Sequence, residues 1–191
     1  MAGLVGKKIG MTRIFDENGK AIPLTVVECL PNKIVQIKTE SNDGHNAIVV
    51  GYEELKKPLK TKKFRYLKEF RLENIDEYQV GQELNTQLLT ADDRVLVTAT
   101  SKGKGFQGVV KRHNFSQGPK THGSRHHRKP GSIGGCAAPG RVLKGKKLPG
   151  RMGNQQSTKK AVVAYLDHAR NLIGIKGPVA GSKSNLVVIS L

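Results

Sequence analysis

Residues 103–108 read GKGFQG and match the G-x-G-x-x-G fingerprint, which places a dinucleotide pyrophosphate at a helix N-terminus. The motif follows an apolar run suited to a strand, and a short helix is predicted over 106–113. The fingerprint also requires an acidic residue about 20 positions later for the ribose hydroxyl. The next acid is Asp167, so dinucleotide binding is disfavoured. Close backbone approach at glycines suits a nucleic-acid phosphate equally well.

A second glycine motif, GRVLKGKK at residues 140–147, matches a Walker A loop except at its last position. Lys147 stands where a Ser or Thr would hold magnesium, and Pro149 prevents the helix that should follow. An NTPase site is therefore disfavoured. Lys144, Lys146 and Lys147, with flexible glycine between them, instead predict a strip that binds phosphate groups.

Three histidines precede a cysteine in the same region: His122, His126 and His127 lie before Cys136. No second matched pair of ligands completes a four-ligand zinc site, and no nearby carboxylate could orient a Cys–His nucleophile. The sequence predicts neither a metal site nor a catalytic thiol, and the histidines suit base stacking or phosphate contacts. Cys136 and Cys29 are interpreted as free thiols of an intracellular protein.

All these motifs lie in one acid-free stretch. Residues 94–166 contain 16 of the 33 Lys and Arg residues and no Asp or Glu, whereas the other 118 residues contain 17 basic and 15 acidic ones. A surface adapted only for solubility mixes both signs, so the exclusion of acids over 73 residues predicts a polyanionic partner. No apolar run reaches the roughly 20 residues of a membrane span, which disfavours a membrane partner.

Two classes of nucleic acid remain open, folded RNA and duplex DNA. The stretch contains four adjacent Pro and Gly pairs, at 118–119, 130–131, 139–140 and 149–150, which indicate a bent path through a folded polyanion. No helix or ribbon suited to a DNA major groove is evident. Structured RNA is therefore favoured, with a chromatin-like DNA-binding protein and a nucleotide-using enzyme as the alternatives.

The segments around the acid-free stretch predict the elements that position it. They are short β-branched runs separated by turn residues such as Asn, Gly and Pro. Strands are predicted over 3–15, 22–30, 33–39, 47–52, 69–73, 80–84, 94–100, 161–166, 172–176 and 186–190. Residues 58–66 are ambiguous between a short helix and an ordered loop. Strand spacing of this kind is typical of a meander or barrel.

The predicted fold is mainly β with little helix: a discontinuous β-barrel into which a long basic loop is inserted. Residues 1–100 form the first part of the barrel, 101–160 an extended basic RNA-binding arm, and 161–191 the returning strands. The arm contains few residues that could form a core, so it is expected to be disordered without RNA. If about half of its basic residues meet phosphates, the log–log salt slope of RNA binding is roughly −5 to −7.

The predicted RNA-binding residues are the basic and histidine side chains of the arm, together with Met152. Near the root of the arm they are Lys102, Lys104, Lys111, Arg112 and His113; farther along they are Lys120, His122, Arg125, His126, His127, Arg128, Lys129, Arg141, Lys144, Lys146, Lys147, Arg151 and Met152. No catalytic residue, cofactor, metal or small-molecule substrate is predicted.

Four motifs give the chain a resemblance to a known family. They are GLVGKKIGMT at 3–12, TSKGKGFQGVVKRH at 100–113, PGSIG at 130–134 and KGKKLPGRMGN at 144–154. Together they resemble protein three of the large ribosomal subunit, and the resemblance extends from residue 1 to the final strand. It implies a non-enzymatic protein of bacterial type with a translation-protein-type barrel, located in cytoplasmic ribosomes; an organellar copy remains the alternative.

The resemblance also implies particular contacts. The barrel would bind large-subunit rRNA, the loop would extend toward the peptidyl transferase centre, and the protein would act early in subunit assembly beside proteins fourteen and nineteen. Some family members carry a methylated glutamine just before the Met-Gly-Asn triplet. Here that position is Arg151, which excludes glutamine methylation there.

Overall fold

The computed structural model describes residues 3–59 and 62–190, and it divides the chain into two compact units. The body runs from the first described residue to Ser101 and resumes at Gln156, whereas the basic unit is Lys102–Gln155. Residues 1, 2 and 191, which the sequence assigns to the barrel, lie outside the described residues. So do residues 60 and 61 of the ambiguous segment.

Most regular elements of the body are strands. They are β1 Gly3–Phe15, β2 Ala21–Glu28, β3 Asn32–Lys38, β4 Ala47–Glu54, β5 Phe64–Arg71, β6 Glu83–Leu84, β7 Arg94–Thr100, β10 Gln156–Asp167, β11 Leu172–Lys176 and β12 Leu186–Ser190. A single helical turn, α1 Glu40–Asp43, and a 3-10 turn, Thr86–Leu88, complete the body. The basic unit contains β8 Phe106–Gln107, α2 Val109–His113 and β9 Gly150–Arg151. The prediction of a mainly β protein with little helix is confirmed.

Six strands form a closed ring in which each strand pairs with two neighbours, in the order β1, β12, β7, β10, β11, β2. Strand β7 shows the pattern that builds the ring: Val95, Val97 and Ala99 are buried, whereas the intervening residues are partly or fully exposed. Successive side chains of a strand point to opposite faces, so the alternating apolar set forms the core. At Gly6 an added Cβ would overlap the Cys29 sulfur, so this core has no room for a larger residue.

The remaining body strands form a second sheet in the order β5, β4, β3, β6. Its buried residues, such as Ile34 and Ile48, belong to the same hydrophobic cluster as those of the ring. The fully buried amide of Asn32 links the two sheets: its Nδ2 donates to the Val5 carbonyl oxygen at 3.1 Å, and the Val5 N–H donates to Asn32 Oδ1 at 3.1 Å. These bonds satisfy polar groups that would be costly to bury unpaired.

Four predictions of local structure need correction. Strand β5 replaces the strand predicted over 69–73, because residues 64–71 pair with β4; it also takes the last three residues of the ambiguous segment 58–66, of which 58, 59, 62 and 63 lie outside any helix or strand. The strand predicted over 161–166 begins earlier, at Gln156, because β10 pairs with β7 back to Thr100. The helix predicted from residue 106 begins at Val109, because Phe106 and Gln107 pair with β9. The strand predicted over 80–84 is limited to β6, Glu83–Leu84.

In the described part of the chain, no helix combines the length and apolarity needed to cross a membrane.

Candidate nucleic-acid interface

The basic unit concentrates positive charge on exposed side chains. Residues 102–155, all of which the structure describes, include thirteen Lys and Arg residues and no Asp or Glu. Twelve of these basic residues are exposed, and Arg112 is half-buried. Val109 is the single buried residue of the unit. Because no carboxylate lies within the unit, its charges cannot be neutralised internally, and the surface is suited to a polyanion.

A short two-stranded sheet positions the predicted residues nearest the ends of the unit. Phe106 is paired with Arg151 across β8 and β9. Beyond this pair, the Met152 N–H donates to the Gly105 carbonyl oxygen at 3.0 Å, and the Lys104 N–H donates to the Met152 carbonyl oxygen at 2.8 Å. The structure therefore brings Lys104, Arg151 and Met152 together, although they are far apart in sequence.

Helix α2 positions two predicted residues in a different way. Arg112 Nη1 donates to the Leu148 carbonyl oxygen at 2.6 Å, and His113 Nε2 lies 3.0 Å from the same oxygen. These contacts hold residue 148 just before β9. A guanidinium has five N–H donors, so Arg112 retains others for a ligand. Lys111, by contrast, is exposed on the helix.

The middle of the unit is closed by contacts between its own residues. The Gly118 N–H donates to the His127 carbonyl oxygen at 3.0 Å, and His127 Nδ1 donates to the Pro119 carbonyl oxygen at 2.7 Å. An added Cβ at Gly118 would lie 2.5 Å from the His126 carbonyl oxygen, so the two chain segments approach closely. The other predicted residues of this loop are exposed: Lys120, His122, Arg125, His126, Arg128 and Lys129.

The segment 125–147 of the unit contains no buried residue. Every residue from 125 to 147 is exposed, including the predicted Arg141, Lys144, Lys146 and Lys147. A turn at Cys136 is closed by a hydrogen bond from the Gly140 N–H to the Cys136 carbonyl oxygen, 3.0 Å long. Ordering a residue costs about 1–2 kcal/mol of backbone entropy, and burial here offers nothing to offset it. An external surface must therefore stabilise any fixed conformation of this segment.

The body differs because it contains acids, and several of them form ion pairs with its own bases. Glu53 Oε2 accepts a hydrogen bond from Lys7 Nζ at 2.6 Å, and this bond lowers the pKa of Glu53. Lys38 and His45 both donate to Glu69, at 2.6 and 2.7 Å, and lower the pKa of Glu69. The body contains 20 of the basic residues and all 15 acidic ones, so it is far closer to neutrality than the basic unit.

The two thiols differ in environment. Cys29 is 1% exposed, and burial, aided by the negative charge of Glu28, raises the pKa of its thiol to about 12. Burial likewise raises the pKa of Tyr52 above its ordinary value. Cys136 is exposed. Both thiols are free, as predicted.

The described residues contain neither a cluster of metal ligands nor a helix after the Walker A-like loop. Within residues 3–59 and 62–190, no three or more His, Cys, Asp or Glu side chains are grouped so that they could hold a metal ion. No helix follows the GRVLKGKK loop; the chain passes through Pro149 into β9.

Phe106 is exposed in the same unit but is not among the residues predicted from the sequence. The residue is 73% exposed and lies inside the glycine motif at 103–108. The sequence does contain a feature that singles it out: it is an aromatic residue between lysines and glycines in a segment without acids.

Comparison with known proteins gives consistent matches over nearly the whole chain. Residues 67–166 match the family model described as Ribosomal protein L3. The Large ribosomal subunit protein uL3 of Shouchella clausii is 50% identical over 198 residues, covering 98% of this chain and 96% of that protein. The proteins of the same name from Carboxydothermus hydrogenoformans and Alkaliphilus metalliredigens are each 49% identical, covering 98% and 99% of this chain and 95% and 96% of those proteins.

Proposed function

The chain belongs to the ribosomal protein L3 family, and on that premise we propose that it is a structural protein of the large ribosomal subunit that binds large-subunit rRNA through its basic unit. The family is one of ribosomal proteins, not of enzymes. The observation that carries the proposal is the basic unit itself: thirteen Lys and Arg residues without one carboxylate, twelve of them exposed. Since the relatives come from bacteria, its place would be the bacterial cytoplasmic ribosome.

The predicted residues would have two roles in this unit. Exposed lysines and arginines would neutralise phosphates, and each such contact would release counterions on binding. Arg112 and His113 would mainly hold the segment before β9 in place, because both contact the Leu148 carbonyl oxygen. The arm proposed from the sequence, residues 101–160, extends into strand β10, where Lys159 and Lys160 are also exposed.

An early role in subunit assembly would follow from the exposure of residues 125–147. A segment with no buried residues becomes ordered when its partner surrounds it. It is therefore incorporated most easily before the rRNA has finished folding. The family resemblance supports the further proposals that the loop extends toward the peptidyl transferase centre and that proteins fourteen and nineteen are neighbours.

The test of the proposed function is co-sedimentation with large ribosomal subunits through a gradient at moderate salt. We expect the tagged full-length chain to migrate with the large subunit in stoichiometric amount. Its absence from that fraction would overturn the proposal. Order-of-addition reconstitution tests the early role: the chain should incorporate well when added to free rRNA and poorly when added after the other proteins.

Competition separates this function from the two alternatives. Duplex DNA should compete much less well than folded rRNA, because no element of the basic unit is suited to a major groove. Equal competition would indicate a general DNA-binding protein. An enzyme that uses the glycine motif would instead bind a nucleotide saturably, and that binding would survive high salt.

A further inference from the structure

The side chain of Phe106 is exposed and contributes little to packing. It is 73% exposed, the highest value among the exposed large hydrophobic residues of the part of the chain that the structure describes. The buried residue of its unit is Val109, and Phe106 itself adds little to any core. A lone exposed apolar residue is ordinary on a surface, but an aromatic ring offers a flat face that can stack on a base.

The backbone that carries this ring is fixed. Phe106 pairs with Arg151, and the hydrogen bonds between Met152 and the backbone of residues 104 and 105 continue the pairing on one side. Gln107 Nε2 donates to the Lys104 carbonyl oxygen, which closes the strand into a tight loop. An added Cβ at Gly153 would overlap the Lys102 carbonyl oxygen, so the facing segments approach closely here as well. A side chain on so constrained a backbone can bind a partner with little further loss of backbone entropy.

The charges near the ring in the chain determine which partner it suits. Lys102, Lys104 and Arg151 are all exposed, and the unit contains no carboxylate. Apolar protein interfaces are typically depleted of lysine, whereas single-stranded nucleic acids are bound by aromatic faces combined with backbone-tracking cations. An unpaired nucleotide satisfies both features, because its base stacks and its phosphate pairs with a cation.

We propose that Phe106 and Arg151 form a binding site for one unpaired nucleotide of the rRNA, with the Phe106 ring stacked on the base and Arg151 bound to an adjacent phosphate. This site rests on the proposed function and deepens it, since it assigns base recognition to a residue outside the cationic set. Stacking tolerates any base, so the site would read the presence of an unstacked nucleotide rather than its identity.

A tryptophan reporter tests the stacking directly. The chain contains no Trp, so Phe106→Trp introduces a single fluorophore at the site. Phe15→Trp is the matched control: Phe15 is 64% exposed in the body, and the Arg13 guanidinium lies 5.8 Å from its ring centroid. On addition of isolated large-subunit rRNA, we expect the emission of Phe106→Trp to be strongly quenched and that of Phe15→Trp to change little.

Affinity and salt dependence provide the second readout. Phe106→Leu keeps an apolar side chain but removes the ring, and should weaken rRNA binding roughly 5- to 150-fold with an unchanged salt slope. Phe106→Trp should retain the wild-type affinity. Arg151→Gln should lower the magnitude of the salt slope by about 1. A merely structural role for Phe106 would not predict a ring-dependent affinity loss at constant slope.

The outcomes separate this proposal from the function on which it rests. If Phe106→Trp is not quenched and Phe106→Leu binds normally, while wild-type binding keeps a steep salt slope, the nucleotide site is refuted and the rRNA-binding function stands. If the wild-type chain does not bind rRNA, both are refuted. Quenching or a blue shift caused by ribosomal proteins without RNA would assign the ring to a protein partner and refute the site.

Discussion

Neutralising three lysines of the basic unit should weaken rRNA binding far more than removing the same charge from the body. In the first variant, Lys144, Lys146 and Lys147, all exposed, are replaced by glutamine. In the matched control, the exposed body lysines Lys56, Lys57 and Lys62 are replaced by glutamine instead. Both variants lose three of the 33 basic residues, so net charge falls equally and only the location of the loss differs.

The magnitude follows from counterion release. Each phosphate contact contributes about 0.7 to 0.9 to the log–log salt slope, so losing three contacts should reduce its magnitude by about 2 to 3. Extrapolated over one decade, from about 1 M to 0.1 M salt, this change corresponds to roughly 100- to 500-fold weaker binding at 0.1 M. The control variant should keep nearly the full wild-type slope of roughly −5 to −7.

The assay is a titration of large-subunit rRNA, followed by filter binding or anisotropy, at salt concentrations from about 0.05 to 0.4 M. Equal losses in both variants would mean that net charge, not the basic unit, governs binding. An unchanged slope in the basic-unit variant would remove these lysines from the interface. A wild-type slope near −1 would refute the electrostatic arm altogether.

Four further predictions follow from burial and charge. Trypsin should cleave the free protein within residues 125–147 and leave the body intact, and rRNA should protect those sites; uniform resistance of the free protein would show that the segment folds alone. In the native protein a thiol reagent should modify Cys136 rapidly and Cys29 only on unfolding, because burial raises the pKa of Cys29 to about 12. Rapid modification of both thiols would contradict the packed core. Gly6→Ala should destabilise the body by about 1–3 kcal/mol in urea unfolding, because its Cβ would overlap a buried sulfur. Glu69→Gln should lower the free energy of unfolding at neutral pH but not in acid. Because the pKa of Glu69 is lowered, its ion pairs contribute to stability above the ordinary glutamate pKa, and this contribution is lost as pH falls through the lowered value. A difference in unfolding free energy that does not depend on pH would contradict this prediction.

The ring strands could be predicted from sequence because their own residues encode them. In β7 the apolar residues Val95, Val97 and Ala99 occupy every second position, and these are the residues that the fold buries. Strand β5 carries a weaker form of this signal: the aromatic residues Phe64, Tyr66 and Phe70 share one face, but Lys68 interrupts them and Leu67 is exposed. Pairing with β4 sets the bounds of β5 at 64 and 71, and this long-range pairing is what the interrupted local pattern does not report.

The same distinction applies to the candidate site: its charge could be predicted from the sequence, whereas its residue pairings could not. Absence of acid is a property of composition, so the cationic surface could be located from sequence alone. The pairing of Phe106 with Arg151 joins residues 45 positions apart through two-residue strands, too short to produce a periodic signal. The contacts of Arg112 and His113 with Leu148 depend on that same long-range pairing, so their positioning role could not be anticipated.

The distribution of acids also separates the part of the chain that supplies folding stability from the part that is proposed to supply binding energy. In the body, carboxylates such as Glu53 and Glu69 pair with local cations, and a shared hydrophobic cluster supplies the stability. The basic unit has neither carboxylates nor, apart from Val109, buried residues, so the conformation of its far segment must be stabilised from outside. On the proposed function, its ordering free energy belongs to RNA binding rather than to folding of the chain. Substitutions in residues 125–147 should accordingly change rRNA affinity while leaving the unfolding free energy of the body unaltered.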